Sequence, residues 1–208
     1  FFISLLKGFI IMLRYIIFIL IAILSSLSYS NSIYCQDKTD SLLIELQKTN
    51  DDVHKVQIFT NLCYENIGNN LENAVKYGKH GLKIAYKIKN YKAIGDLCNM
   101  LGICYKDLGN SDKSIDYYEI ALFIHKVRGD NNNAAVIYNN LSNLYVYKGS
   151  YLKALENIQK ALSIYYETDN NNEIADCYNN LGVIYHNQKN LLKALEFYNK
   201  SLNIYENI

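Results

Sequence analysis

Apolar residues recur at a fixed interval along the second half of the chain. Leu101, Leu141 and Leu181 stand at the same place in three frames, CNMLGICY, YNNLSNLY and YNNLGVIY. On a helical wheel with about 100° per residue, positions 98, 101, 102 and 105 of the first frame fall within one arc of about 100°. Each frame therefore predicts a helix with one buried face.

A second helix follows each frame. Its small and apolar residues are spaced by four and then three positions, as in Ser114, Tyr118 and Ala121. That spacing keeps them on one helical face. Polar segments such as LGNSDK and GDNNN separate successive helices. The pattern predicts helices near 71–89, 91–108, 111–128, 131–148, 151–168, 171–188 and 191–207.

Small residues occur where the two helices of a pair would cross. Gly102 or Ser142 on the first helix and Ala154 or Ala161 on the second permit close approach. Because one helix pair cannot bury its apolar face alone, the pairs are expected to stack on one another.

Together the two halves of each unit resemble the tetratricopeptide repeat, whose pattern is aromatic-x-x-Leu-Gly-x-x-Tyr followed by Ala-x-x-x-aromatic. The resemblance covers 95–208 as three repeats, although Cys98 replaces an aromatic residue and Ser142 replaces a glycine. A degenerate repeat with Leu62 and Ala74 in the hallmark places precedes them. The interval between the leucines is longer than the usual period of about 34 and is similar to that of kinesin light chains and bacterial peptide-sensing regulators.

This resemblance implies an all-α fold, a right-handed superhelical solenoid of antiparallel helix pairs with a concave face. Residues 37–94 are expected to hold an N-terminal helix at DSLLIELQKT and the degenerate repeat. The C-terminal helix carries Leu195 and Leu202 on an apolar side that nothing in the sequence covers. We therefore expect the natural chain to continue beyond Ile208, and the uncapped helix to self-associate.

The segment 1–36 has the layout of a secretory signal. From Met12, the segment MLR supplies a charged region and YIIFILIAIL an apolar one, followed by the polar run SSLSYSNSIYCQ. Export to the periplasm or cell envelope is predicted, with cleavage between Cys35 and Gln36. The alternative is that the leader stays uncleaved as a membrane anchor. We expect contact with a membrane only through such an anchor or through a segment beyond residue 208.

The composition agrees with a helical chain, and the charge balance reduces the classes of possible binding partner. The sequence has no Pro, no Trp, 10 Gly and 20 Tyr, too few helix breakers for a β-sandwich or a disordered chain. Beyond residue 36 the basic and acidic residues nearly balance, without a basic stripe. Nucleic acid is excluded as a partner, because binding to phosphates needs clustered cations.

No pattern of a catalytic or metal site appears. The histidines, at positions 54, 80, 125 and 186, are not spaced as metal ligands, and we interpret them as surface or groove residues. The five cysteines form no CxxC motif and are interpreted as buried small apolar residues. We predict that the chain is not an enzyme and needs neither metal nor cofactor.

One asparagine recurs per repeat just before the leucine. Asn99, Asn139 and Asn179 flank the buried face of each first helix. In tetratricopeptide proteins the first helices line the concave groove, and the kinesin-light-chain type uses this asparagine on a peptide backbone. An amide supplies both a donor and an acceptor, as an extended peptide requires. Repeat duplication without a binding role is the alternative. The predicted ligand-binding residues are Asn99, Lys106, Asn139, Asn143, Asn179 and His186.

We therefore expect an exported scaffold that binds a protein or extended peptide in its concave groove. One alternative is the extracytoplasmic sensing region of a larger bacterial signalling protein, a histidine kinase or a transcriptional regulator. Another is an enzyme whose catalytic domain lies outside this sequence.

Overall fold

The computed structural model describes residues 38–208, which form helices and turns without a strand. Helix α1 occupies 38–48, and Thr49–Ile208 is a separate compact unit. The helices of that unit are α2 (Asp52–Ile67), α3 (Leu71–Lys87), α4 (Tyr91–Asp107), α5 (Ser111–Val127), α6 (Asn131–Tyr147), α7 (Tyr151–Glu167), α8 (Asn171–Asn187) and α9 (Leu191–Glu206).

The predicted all-α solenoid is confirmed. Each of the seven predicted helices begins at the expected residue and ends one or two residues earlier than expected. The degenerate repeat is the pair α2 and α3. The predicted leader and its cleavage site lie outside the described residues.

The helices of the larger unit are arranged in two rows. The main contacts are within the pairs α2–α3, α4–α5, α6–α7 and α8–α9, and between one pair and the next. The first helices α2, α4, α6 and α8 also contact one another in succession. Across residues 52–206, no second helix contacts another second helix. The first helices therefore form the crowded inner row and the second helices the outer row.

Residue size is matched where the two helices of a pair cross. A Cβ atom added to Gly102 would lie 2.6 Å from the ring of Tyr118, which is fully buried. In the last pair, Gly182 has the same relation to Tyr198, at 2.5 Å. Because glycine has no side chain, space is left at the crossing, and a tyrosine ring of the second helix fills it.

The other two helix pairs have different residues at the two positions where their helices cross. The third pair has Ser142 and Ile158 at these positions, a larger first residue with a smaller second one. In the degenerate pair Cys63 takes the first position and Gly78 the second. A Cβ on Gly78 would lie 2.9 Å from the Leu101 Cδ2 of the next pair and 3.1 Å from the Cys63 Sγ. The space beside Gly78 is therefore filled by both of these side chains.

The cysteines of the described residues serve as core residues. Cys63, Cys98, Cys104 and Cys177 are all buried free thiols, which confirms their interpretation as small apolar residues. Burial raises the pKa of Cys98 and Cys177 to about 12. These two thiols stay protonated and unreactive at neutral pH.

The last helix exposes an apolar side. Leu195 and Leu202 are exposed on α9, whereas the corresponding Leu155 and Leu162 of α7 are partly buried against the following pair. Self-association through this helix stays a prediction.

The turns between helices repeat one design. Six of them contain a residue with positive φ, and the next backbone N–H bonds back to the last helical turn, as Asn110 does to the Tyr105 carbonyl at 2.8 Å. This is the Schellman arrangement, which favours glycine at the left-handed position. The six residues are Lys89, Gly109, Gly129, Gly149, Asp169 and Lys189.

Replacing Lys189 with glycine is expected to raise the free energy of unfolding by about 0.5–1 kcal/mol. Lys189 has φ 62°, a conformation that strains any side chain with a Cβ. Urea denaturation would measure the gain. The control is Gln188→Gly, at φ −76° in the same helix end, where glycine only adds freedom to the unfolded chain. Equal effects at the two positions would contradict the argument.

Candidate functional site

The asparagines of the inner row form a ladder between repeats. The Asn140 Nδ2 donates to the Asn99 Oδ1 at 3.1 Å, which joins α6 to α4. One repeat later, the Asn180 Nδ2 donates to the Asn139 Oδ1 at 2.7 Å, which joins α8 to α6. The ladder arises because two consecutive asparagines precede the leucine in both α6 and α8.

These bonds fix the orientation of the amides without using all of their hydrogen-bonding capacity. Asn99 and Asn139 each use an oxygen in the ladder, and Asn140 and Asn180 each use a hydrogen. An amide carries two N–H donors and an oxygen with two lone pairs. Each pair therefore keeps donor capacity on its first member and acceptor capacity on its second. A partly buried, oriented donor and acceptor therefore occur at two successive junctions, between α4 and α6 and between α6 and α8.

The ladder stops before α2. Thr60 and Met100 stand where the asparagine pair would lie, and the Thr60 hydroxyl donates to the Val56 carbonyl within its own helix. A hollow of about 420 Å³ lies between α2 and α4 at this point. Tyr64, Ile67, Asn99, Met100 and Ile103 are among its lining residues. The row of amides thus leads into an apolar hollow.

The remaining predicted residues are more dispersed. Asn143 and Asn179 are exposed on α6 and α8. Lys106 and His186 lie in the last turns of α4 and α8, away from the ladder, and the Lys106 Nζ is 3.2 Å from the Asp107 carboxylate. The structure therefore brings Asn99 and Asn139 into the ladder with Asn140 and Asn180, two residues that sequence reasoning missed. Their signal was the doubled asparagine.

His125 was interpreted as a surface or groove residue, and this interpretation is wrong. Its side chain is only 1% exposed, with Nδ1 3.3 Å from the Asp130 carboxylate and Nε2 3.6 Å from that of Asp96. A Cβ on Gly95 would lie 2.6 Å from the Nε2. The signal for this arrangement was Gly95, because the corresponding residues of the next two repeats are alanines.

The two carboxyl groups beside His125 have opposite pKa shifts. Burial raises the pKa of Asp96, although the charge of His125 opposes this. For Asp130, hydrogen bonds from Asn133 and the charge of His125 outweigh the effect of burial and lower the pKa. Asp130 is also the N-cap of α6, where it accepts from the Asn133 backbone N–H. The cluster thus joins the pair α4 and α5 to the pair α6 and α7.

Residues 38–208 hold no group of three or more His, Cys, Asp or Glu side chains arranged for a metal ion. Among the helices of this part of the chain, none has the length and apolar character needed to cross a membrane.

Several solved structures have a similar fold. A Rap protein complexed with competence and sporulation factor matches with a TM-score of 0.74 and 18% identity, over 81% of this chain and 47% of that one. A STAND signal-transduction ATPase with a tetratricopeptide repeat sensor, from Pyrococcus horikoshii, matches with a TM-score of 0.71 and 23% identity, over 78% and 26%. BtubC (BKLC) from P. vanneervenii matches with a TM-score of 0.70 and 19% identity, over 82% and 72%.

Comparison of sequences gives the family. No curated protein matches the chain. The sequence profile of the tetratricopeptide repeat matches residues 95–167 and 133–207, which together span more than half of the chain. Those ranges coincide with the three repeats found from the leucine frames and with the ladder of amides. The chain belongs to the tetratricopeptide repeat family.

Proposed function

We propose that this chain is an exported scaffold that binds a protein or an extended peptide along the inner row of helices and has no catalysis of its own. The observation that carries the proposal is the amide ladder. It presents oriented donor and acceptor groups at two successive repeat junctions, and the backbone of an extended peptide offers unpaired groups of both kinds. The apolar hollow beside Asn99 supplies a place for one ligand side chain.

Export is the part of this proposal that rests on the leader alone. Its layout of a charged region, an apolar region and a polar region supports secretion. N-terminal sequencing of the mature protein from the cell envelope would test it, with Gln36 expected as the first residue.

A second candidate is the sensing region of a larger signalling protein. The support is that this chain covers only 26% of the STAND protein, in which the tetratricopeptide repeats are a sensor. In that case the same groove would bind the signal. The complete reading frame around this sequence separates the two candidates.

Removing the groove donors is expected to weaken peptide binding about tenfold, since each lost hydrogen bond is worth about 0.5–1.5 kcal/mol. The variant is Asn99→Asp with Asn139→Asp, because aspartate keeps the acceptor that the ladder needs and lacks the N–H donors. The probe is a short peptide selected from a random displayed library on the parent protein. Fluorescence polarisation measures its dissociation constant.

The matched control places the same two changes on the outer row, as Asn157→Asp with Asn199→Asp. This control adds equal charge and should bind the peptide like the parent. An equal loss in both variants, or no loss in the groove variant, would overturn the assignment of the ladder. Failure to select any peptide with a dissociation constant below about 100 μM would overturn peptide binding itself.

A further inference from the structure

An apolar stripe lies on the outer side of α5. It consists of Ile120, Phe123 and Val127, whose spacing of three and four residues puts them on one side of the helix. These side chains are 39%, 66% and 71% exposed. Asp116 bounds the stripe at its N-terminal end.

The other repeats provide an internal comparison for this stripe. The corresponding residues of α3 are His80, Lys83 and Lys87, those of α7 are Lys160, Ser163 and Glu167, and those of α9 and its C-cap are Lys200, Asn203 and Asn207. All nine are polar or charged and exposed. Stacking of repeats therefore does not require apolar residues here. The α5 stripe departs from the repeat pattern at three positions at once, on a surface open to solvent, as expected for a contact site.

The charges beside the stripe make it self-complementary. Glu119 and Lys126 are exposed and lie seven residues apart, about 20° from each other on the wheel, on the same flank of the stripe. If two copies of α5 pack antiparallel about a midpoint between Leu122 and Phe123, Glu119 of each copy faces Lys126 of the other. The same register places the two Phe123 rings together and Ile120 beside Val127 of the second copy.

We propose that two copies of this chain associate through the outer face of α5, as an antiparallel helix pair related by a two-fold axis. Such an isologous contact uses the same patch on both copies. Two apolar stripes cover each other, and two ion pairs between Glu119 and Lys126 fix the register. The contact area of one helix face is smaller than that of a stable specific interface, which is about 1000 Å² or more. The dimer is accordingly weak, with a dissociation constant of about 10 μM or above. Because α5 belongs to the outer row, the grooves of both copies stay open.

The stripe is tested by giving α5 the residues that α7 already has. The triple variant Ile120→Lys, Phe123→Ser and Val127→Glu is expected to fold like the parent, because α7 holds these residues in the same position. Sedimentation equilibrium of the full chain from about 5 to 500 μM should show a monomer–dimer equilibrium for the parent. The triple variant should be at least tenfold weaker in dimerisation. The control is Tyr86→Lys, which removes an exposed aromatic residue from α3 and should dimerise like the parent.

The charges distinguish a second copy from any other occupant. Glu119→Lys alone and Lys126→Glu alone each bring like charges together in the dimer and should weaken it about tenfold. The double charge exchange, and a one-to-one mixture of the two single variants, restore the opposite-charge pairs and should recover dimerisation. Another partner protein with fixed charges would not accept the exchanged pair.

Three results would overturn the proposal. A parent that is monomeric at the highest of these concentrations has no such dimer. Equal association of the parent and the triple variant would place the contact elsewhere, for example on α9 or the apolar residues before 36, which all these proteins share. A loss in the single charge variants that neither the exchange nor the mixture recovers would exclude the antiparallel register of two copies.

Discussion

Replacing Gly102 with serine is expected to lower the free energy of unfolding by about 1–3 kcal/mol. The added Cβ would lie 2.6 Å from the ring of Tyr118, which is fully buried and cannot move aside without displacing its neighbours. Tyr118→Ile alone should also destabilise, by about 2–4 kcal/mol, because it leaves a cavity beside Gly102. The double variant copies the natural combination Ser142 and Ile158 of the pair α6 and α7, so its cost should be clearly smaller than the sum of the two single costs.

Chemical denaturation of the four proteins gives this double-mutant cycle. The control is Gly68→Ala, where an added Cβ meets no atom within 4 Å and φ is −84°. It should leave stability unchanged or slightly raised. Additive costs of the two core changes would show that residue size is not matched across the helix pair.

His125→Ala is expected to cost about 2–4 kcal/mol. The change opens a cavity over Gly95 in a fully packed junction, and it removes the imidazole that faces the partly buried Asp96 carboxylate. Urea denaturation of the variant measures the cost. His186→Ala is the matched control, because this histidine is exposed on α8 and its removal should cost less than about 0.5 kcal/mol. Similar costs at the two histidines would contradict the role of His125 as a junction residue.

The repeating part of the fold could be predicted because each repeat carries the same types of residue at the same positions. Leu101, Leu141 and Leu181 set the register, and that one register fixes every helix of the repeating part. The interpretation of His125 failed because no other repeat has a histidine at this position, so the repeat pattern gives no information on its environment. Only its spatial neighbours show that a buried position has been made polar. Gly95 and Asp96 come from the preceding helix and Asp130 from the turn that follows.

The candidate site was predicted in part for the same reason. The recurrence of Asn99, Asn139 and Asn179 identified the inner row. The partners Asn140 and Asn180 each stand one position after the repeated asparagine. In space, the repeated asparagine of one first helix lies against the residue that follows the repeated asparagine in the next first helix. The repeat interval in the sequence does not reveal this shift of one position. The α5 stripe was not predicted because the sequence alone does not tell whether an apolar residue of a helix is buried or exposed.

The difference between the two rows of helices governs how the molecule can bend. Along the inner row, neighbouring first helices touch and the ladder links three of them, whereas the second helices of residues 52–206 never meet. The inner row therefore resists separation of its helices. The second helices of the outer row can move apart or together more easily, and the repeats rotate about the line of the amide ladder. A change of curvature then alters the angle between repeats while the spacing of the groove amides stays nearly constant. Under the proposed function, ligands of different bulk would then be accommodated without loss of the backbone register.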